Sequence, residues 1–157
     1  MSAQPTATSP SNPPSTRLPE YAIYKPNSRN TGGVIRFGLN PAKAAVFVDA
    51  ANQSGERQFD WDRKITMKWG FADIGGVLAV LQSRQPDVKL FHKTDSATSA
   101  FGFVARQQPE RAPFLMSVSR QENADKSVRK VTIPVTHAEA AILEAALRTA
   151  VTRLLGW

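Results

Sequence analysis

An α+β fold built from a duplicated ββββα unit is what this sequence predicts, on three observations. Eight short runs with strand character fall into two groups of four. Each group is closed by a segment whose apolar residues switch to helical spacing. Displacing the first helical segment by 66 positions lays Val77 on Leu143 and Leu81 on Leu147, so both halves follow one plan. A chain of 157 residues is long enough to bury a core without cross-links, and it has no cysteine to make them.

The elements follow in order. Residues 1–20 hold five of the chain's 11 prolines among Ser and Thr, with little apolar surface beyond Leu18, and are expected to be disordered. They lack the apolar stretch of a signal peptide, and the single Arg17 argues against a transit peptide. The folded domain is expected over 21–157. Strand runs are Tyr21–Lys25, Gly33–Asn40, Ala44–Asp49 and Arg63–Trp69. In the last, Ile65, Met67 and Trp69 alternate with Lys64, Thr66 and Lys68, giving one apolar and one basic face. A helix from Phe71 follows, ending between Leu81 and Arg84, with Gly75 and Gly76 small enough for a second helix to approach.

The second group is Val88–Lys93, Ala100–Arg106, Phe114–Arg120 and Val128–Val135, where Pro134 marks an edge or an end. Thr136 and Glu139 have the spacing of a capping box, opening a helix over 137–155. Its residues available for burial are Ala141, Leu143, Ala146, Leu147, Ala150, Val151 and Leu154.

Composition points to binding. With 20 Lys+Arg against 13 Asp+Glu the net charge is +7, and since Arg17 and Glu20 cancel, all of it sits on 21–157. Such a surplus matches a polyanionic partner. No apolar run approaches the roughly 20 residues of a membrane-spanning helix, so no membrane role is expected. No catalytic residues, metal site or cofactor is expected either. Two histidines are too few for an imidazole-based site, and Gly75-Gly76 lacks the lysine of a phosphate loop. Asp60 and Asp62 would point to opposite faces of an extended segment. His92 is equally readable as a base-stacking group or a strand residue without a role, and His137 as surface.

What remains is aromatic residues interleaved with cations, the combination single-stranded nucleic acid requires: rings stack on exposed bases while charges follow the phosphates. The candidates for stacking or a base pocket are Tyr24, Phe37, Phe59, Trp61 and Phe91. The candidates for phosphate contact are Lys25, Arg36, Arg57, Arg63, Lys64, Lys68 and Lys93.

Arg57-Gln58-Phe59-Asp60-Trp61-Asp62-Arg63-Lys64 resembles the Arg-Gln/Lys-Tyr-Asp-Trp-x-Arg/Lys-Lys/Arg segment of the Whirly family, plant single-stranded-DNA-binding proteins. Ile133-Pro134-Val135-Thr136-His137-Ala138-Glu139, the terminal Leu154-Leu155-Gly156-Trp157 and Leu90-Phe91-His92 are similar to three further motifs of that family, in the same order. The likeness covers 21–157. It implies two antiparallel four-stranded sheets, with the helices 71–84 and 137–155 packing four protomers into a homotetramer. Val77, Leu81, Leu143 and Leu147 are then the expected interface residues. It also implies binding of single-stranded DNA with low sequence specificity, in replication, recombination or repair.

RNA-binding or annealing is the alternative, since guide-RNA-binding proteins of kinetoplastid mitochondria share the architecture; a transcription regulator is the less favoured third. Two departures stand out. The family's Tyr-Lys-Gly-Lys-Ala hairpin motif, tied to assembly beyond tetramers, survives only as Tyr24-Lys25, and the acidic, aromatic C-terminal extension of plant members is not present. The expected location is cytoplasmic or nucleoid-associated, an organellar one being disfavoured.

Overall fold

A computed structural model describes residues 20–106 and 112–157; the tail expected over 1–20 lies outside these except for Glu20. Glu20 opens strand β1 (Glu20–Lys25), which pairs antiparallel with β2 (Gly33–Asn40). β2 pairs with β3 (Ala45–Gly55), whose other edge carries two short strands in succession. β4 (Gln58–Phe59) takes the C-terminal end of β3, and β5 (Ile65–Trp69) takes its N-terminal half. The first sheet thus has five strands in four lanes, where the sequence suggested four. The second sheet is an antiparallel meander of β6 (Asp87–Lys93), β7 (Ala97–Ala105), β8 (Phe114–Glu122) and β9 (Val128–Val135). Helix α1 (Phe71–Leu81) follows β5, and α2 (His137–Leu155) follows β9.

β7 begins three residues earlier than expected and β8 runs two residues longer, and the first half of the chain differs further. β3 runs to Gly55 because pairing of Gly33 with Asn52 holds its weakly strand-forming Ala50–Ser54 stretch extended. Arg63 belongs to a 3-10 turn, Trp61–Arg63, and the last strand of the sheet begins only at Ile65. That turn also replaces the extended run assumed for Asp60 and Asp62. α1 stops at Leu81, because Ser83 takes a left-handed φ of 61° that no helix continues.

Alternation decides which side chains form the core. Ile35, Phe37, Val48, Ile65, Met67 and Trp69 turn inward from the first sheet, and Phe101, Phe103, Met116, Val118, Val131 and Ile133 from the second. Phe37 meets Trp69 with ring centres 5.7 Å apart, and Trp69 meets Phe101 edge-on at 4.7 Å, so aromatic contacts join the sheets. Ile74, Val77 and Leu81 of α1, and Ala140, Leu143, Leu147 and Ala150 of α2, complete this core.

The helix faces therefore correct two expectations. Ala141 and Ala146 are exposed, and Val77, Leu81, Leu143 and Leu147 are consumed by the protomer's own interior. Gly76 admits strand β6 in place of a second helix: a Cβ there would lie 2.9 Å from Val88 Cγ2, while one on Gly75 would meet nothing within 4 Å.

The capping box at α2 forms as expected. Thr136 Oγ1 accepts from Glu139 N–H at 3.1 Å, and Glu139 Oε1 accepts from Thr136 N–H at 2.9 Å. Lys25 Nζ lies 2.8 Å from the same carboxylate, tying β1 to the helix start. Partial burial pushes the Glu139 carboxyl up, but the hydrogen bonds from Lys25 and Thr136 and the Lys25 charge pull harder, leaving it below the ordinary carboxylate range. A lowered folded-state pKa gives stability that is present above the unfolded value and is lost as pH falls through the folded one. Glu139→Gln keeps the cap and drops the charge, so it should cost about 0.5–1 kcal/mol at neutral pH. Its melting temperature should converge with wild type in acid; parallel melting curves at all pH would contradict this pairing.

Candidate nucleic-acid interface

Because neighbours in a strand face opposite ways, each adjacent aromatic–basic pair in the sequence splits between core and surface. In β1 Tyr24 turns outward, 54% exposed, and Lys25 turns back to Glu139. In β2 Arg36 turns outward and Phe37 inward, 4% exposed against Trp69. Phe37 is thus a core residue and Lys25 an interior-facing ion-pair partner. Neither, though a candidate contact by sequence, lies on the outer face with Tyr24.

On that outer face Tyr24 and Phe59 pack with ring centres 5.6 Å apart. With Pro26, Ser54, Arg57, Gln58 and Trp61 they line an open hollow of about 620 Å³. Strand parity puts Val34 and Ala51 on this side too, and both are fully buried, so the hollow has an apolar floor. Trp61 is held from below, with Arg36 Cζ 4.4 Å from the centre of its ring. Arg36 is in turn fixed by Asp49 at 2.8 Å and Glu20 at 3.4 Å. Asp49 also accepts from Thr66 Oγ1 at 2.6 Å. Arg36, expected on phosphate, is instead a neutralised buttress beneath an indole.

The remaining cations are freer. Lys64 is 3.9 Å from Asp49 and largely exposed; Arg57, Arg63 and Lys68 are exposed and make no ion pair with another described residue. Arg57 sits at the tip of the turn joining Gly55 to Gln58 with a left-handed φ of 59°. That conformation suits glycine and costs a β-carbon-bearing residue of order 1 kcal/mol, so a guanidinium is kept there against backbone preference.

The second sheet presents a different outer face. Phe91, 64% exposed, and Lys93 project together, and Lys89 joins them by the same parity. Phe91 lies in one cross-strand row with Ala100, Ser119 and Lys130, and Lys89 in another with Gly102, Ser117 and Thr132. The result is a low floor of small and hydroxyl residues edged by lysines and one ring. Lys89 and Lys130 were not singled out in the sequence; the Lys89-Phe91-Lys93 alternation places Lys89, but only strand register brings Lys130 to the same face. His92 faces the other way and reaches Asp73 of α1 at 3.2 Å, so it is not a stacking group.

The two faces approach each other at a hollow of about 400 Å³ lined by Asn52, Asp60, Arg63, Val128, Arg129 and Lys130. There Asn52 Nδ2 donates to the Lys130 carbonyl at 3.1 Å, closing the sheets together. Arg63 and Lys130 meet at this hollow, with the half-buried Trp61 close to Arg63 in sequence and Phe91 in the cross-strand row of Lys130 beyond Ser119 and Ala100. Among the described residues no cluster of His, Asp and Glu is placed to hold a metal ion, and no helix is long and apolar enough to cross a membrane.

Comparison with known proteins agrees with this architecture. The model of the family described as "Whirly transcription factor" matches residues 39–146. Among curated proteins, the chloroplastic single-stranded DNA-binding protein WHY1 of Solanum tuberosum is 27% identical over 117 residues, 71% of this chain and 42% of that protein. The chain therefore spans less than half the length of that relative. The crystal structure of WHY1 from Arabidopsis thaliana superposes with a TM-score of 0.72 at 18% identity, covering 90% of this chain and 93% of that one. A guide-RNA-binding protein complex bound to a guide RNA superposes with a TM-score of 0.68 at 16% identity, covering 91% and 96%. With the family model matching more than two thirds of its length and the fold agreeing across both sheets, this chain belongs to the Whirly family.

Proposed function

We propose that this protein binds single-stranded DNA with little sequence preference, as a non-enzymatic homotetramer that protects or manages single strands in replication, recombination or repair. The observation that carries the reading is the outer face of the first sheet. Tyr24, Phe59 and Trp61 offer ring faces beside Arg57 and Lys68, unpaired among the described residues, and beside Lys64, held only by a 3.9 Å contact with Asp49. Rings accept any base and cations any phosphate, so such a surface selects for unpaired bases over sequence. The name of the potato relative agrees. Its chloroplast address weighs toward an organellar nucleoid and against the cytoplasmic setting expected from the sequence.

RNA is the second reading, favoured by the guide-RNA-bound structure of the same fold. Competition among single-stranded DNA, RNA and duplex DNA of one sequence, at one salt concentration, tests both. DNA first, RNA second and duplex far behind supports the proposal; duplex binding on a par with single strands overturns it.

Assembly draws on apolar surface that the protomer leaves uncovered. Ile142, Leu155 and Trp157 of the α2 segment are 53%, 43% and 90% exposed. An apolar groove of about 420 Å³ runs beside α2 between Tyr21, Leu39, Ala146 and Ala150. Copies of the helix filling these faces would bury them. Light scattering should give about four times 17.2 kDa; a monomer at micromolar concentration would remove the tetramer.

Arg57→Gly separates charge from fold. Glycine relaxes the left-handed turn, so the melting temperature should hold or rise slightly, by no more than about 1 kcal/mol of stability. The slope of log affinity against log salt should shrink by roughly 0.7, the share of one phosphate contact on a single strand. An unchanged slope would show that the hairpin tip does not reach the backbone.

A further inference from the structure

Gln53 carries more hydrogen bonds than any other side chain among the described residues, and it is only 8% exposed. Its Oε1 accepts from the backbone N–H groups of Asn27 and Gly32, each at 3.0 Å. Two such donors fix which way the amide points. Its Nε2 then donates toward the carbonyls of Gly55 at 3.0 Å and Asn27 at 3.2 Å, and toward Asn30 Oδ1 at 3.3 Å. The partners lie on two separate segments. Residues 26–32 connect β1 to β2, and Gly55 opens the turn into β4. The first segment follows directly on Tyr24; the second leads to Arg57 and Phe59. The packing is close, for a Cβ on Gly32 would collide with the Lys25 carbonyl oxygen and lie 2.9 Å from Gln53 Oε1. A buried amide is costly unless partnered, and a fully partnered one fixes geometry that an apolar side chain would leave loose.

We propose that Gln53 is the positioning residue of the single-strand interface, tying the 26–32 loop to the β3–β4 hairpin so that Tyr24 and Phe59 hold their 5.6 Å spacing. It acts through the two rings and need not touch nucleic acid. The inference rests on the outer face of the first sheet being the binding surface.

The test is a double-mutant cycle read by fluorescence anisotropy with a labelled oligothymidylate at fixed salt. Gln53→Glu keeps the size and the Oε1 acceptor but sets a carboxylate oxygen against the Gly55 and Asn27 carbonyls, turning donations into repulsions. In the otherwise wild-type protein it should weaken binding about tenfold, on the scale of one stacked base. In the Tyr24→Ala/Phe59→Ala background it should cost less than about twofold, because the groups it positions are gone. The salt slope should stay constant in both. Equal losses in the two backgrounds, or no loss in wild type, overturns the role.

If Gln53→Glu fails to reach the native circular dichroism spectrum, Asn30→Gly carries the test. It deletes one acceptor at a residue whose φ of 59° glycine adopts freely. It should weaken binding about threefold in wild type and not measurably in the double-alanine background. Equal or absent losses again overturn the role. A double-alanine variant that binds like wild type overturns the surface itself, which loss without coupling does not.

Discussion

Trp61→Ala should weaken single-strand binding by about 1–3 kcal/mol for each base it stacks, roughly a five- to 150-fold loss, with little change in melting temperature. Trp61 lies in a surface turn outside the core, and its packed ring face rests on the Arg36 guanidinium. That leaves the other face for a base. Trp61→Phe keeps a ring on the same perch and should recover most of the affinity. Duplex DNA hides its base faces, so its weaker binding should hardly move. Anisotropy and thermal melting on one preparation separate the outcomes. A variant that melts early yet binds normally when folded would make Trp61 structural and leave Tyr24 and Phe59 as the platform.

The largest loss of stability is expected at Trp69. This side chain is fully buried and joins the two sheets through Phe37 and Phe101, so Trp69→Ala should cost about 3–5 kcal/mol. Its indole Nε1 is also buried without a hydrogen-bond partner, a donor that water would otherwise satisfy. Trp69→Phe removes that orphan along with some packing, so it should lose much less than alanine. Denaturant unfolding at fixed protein concentration measures both. Near-equal losses would mean that packing specific to the indole, and not cavity volume or the stranded donor, sets the energetics there.

The contrast between Trp61 and Trp69 shows where the sequence was legible. The alternation Ile65-Thr66-Met67-Lys68-Trp69 assigns Trp69 to the core and Lys68 to solvent without any coordinates, and both assignments hold. The same parity, applied to Tyr24-Lys25 and Arg36-Phe37, would have excluded Lys25 and Phe37 from the interface. Adjacency of ring and charge suggested a shared site, but adjacent strand residues cannot share a face. Arg36 was misassigned for another reason. Its partners Glu20, Asp49 and Trp61 come from three separate segments, and only cross-strand register brings them together.

The far half of β3 and the two-residue β4 were invisible because pairing, not propensity, holds Ala50–Ser54 extended. Gln53 was hidden with them. In the helices the apolar stripe was placed correctly except at Ala141 and Ala146, but it was assigned to the wrong neighbour. Val77, Leu81, Leu143 and Leu147 are buried within the protomer, and the large apolar residues left exposed on the α2 segment are Ile142, Leu155 and Trp157.

One measurement bears most directly on the claim that this outer face binds single strands. It is the affinity of the Tyr24→Ala/Phe59→Ala/Trp61→Ala protein for single-stranded DNA, beside wild type at the same salt. With the three rings gone and Arg57, Lys64 and Lys68 intact, the preference for single strands over duplex should collapse by at least about two orders of magnitude. The salt slope should stay near its wild-type value, since the phosphate contacts remain. A natively assembled triple variant that still prefers single strands as strongly as wild type would place the site elsewhere on the protein.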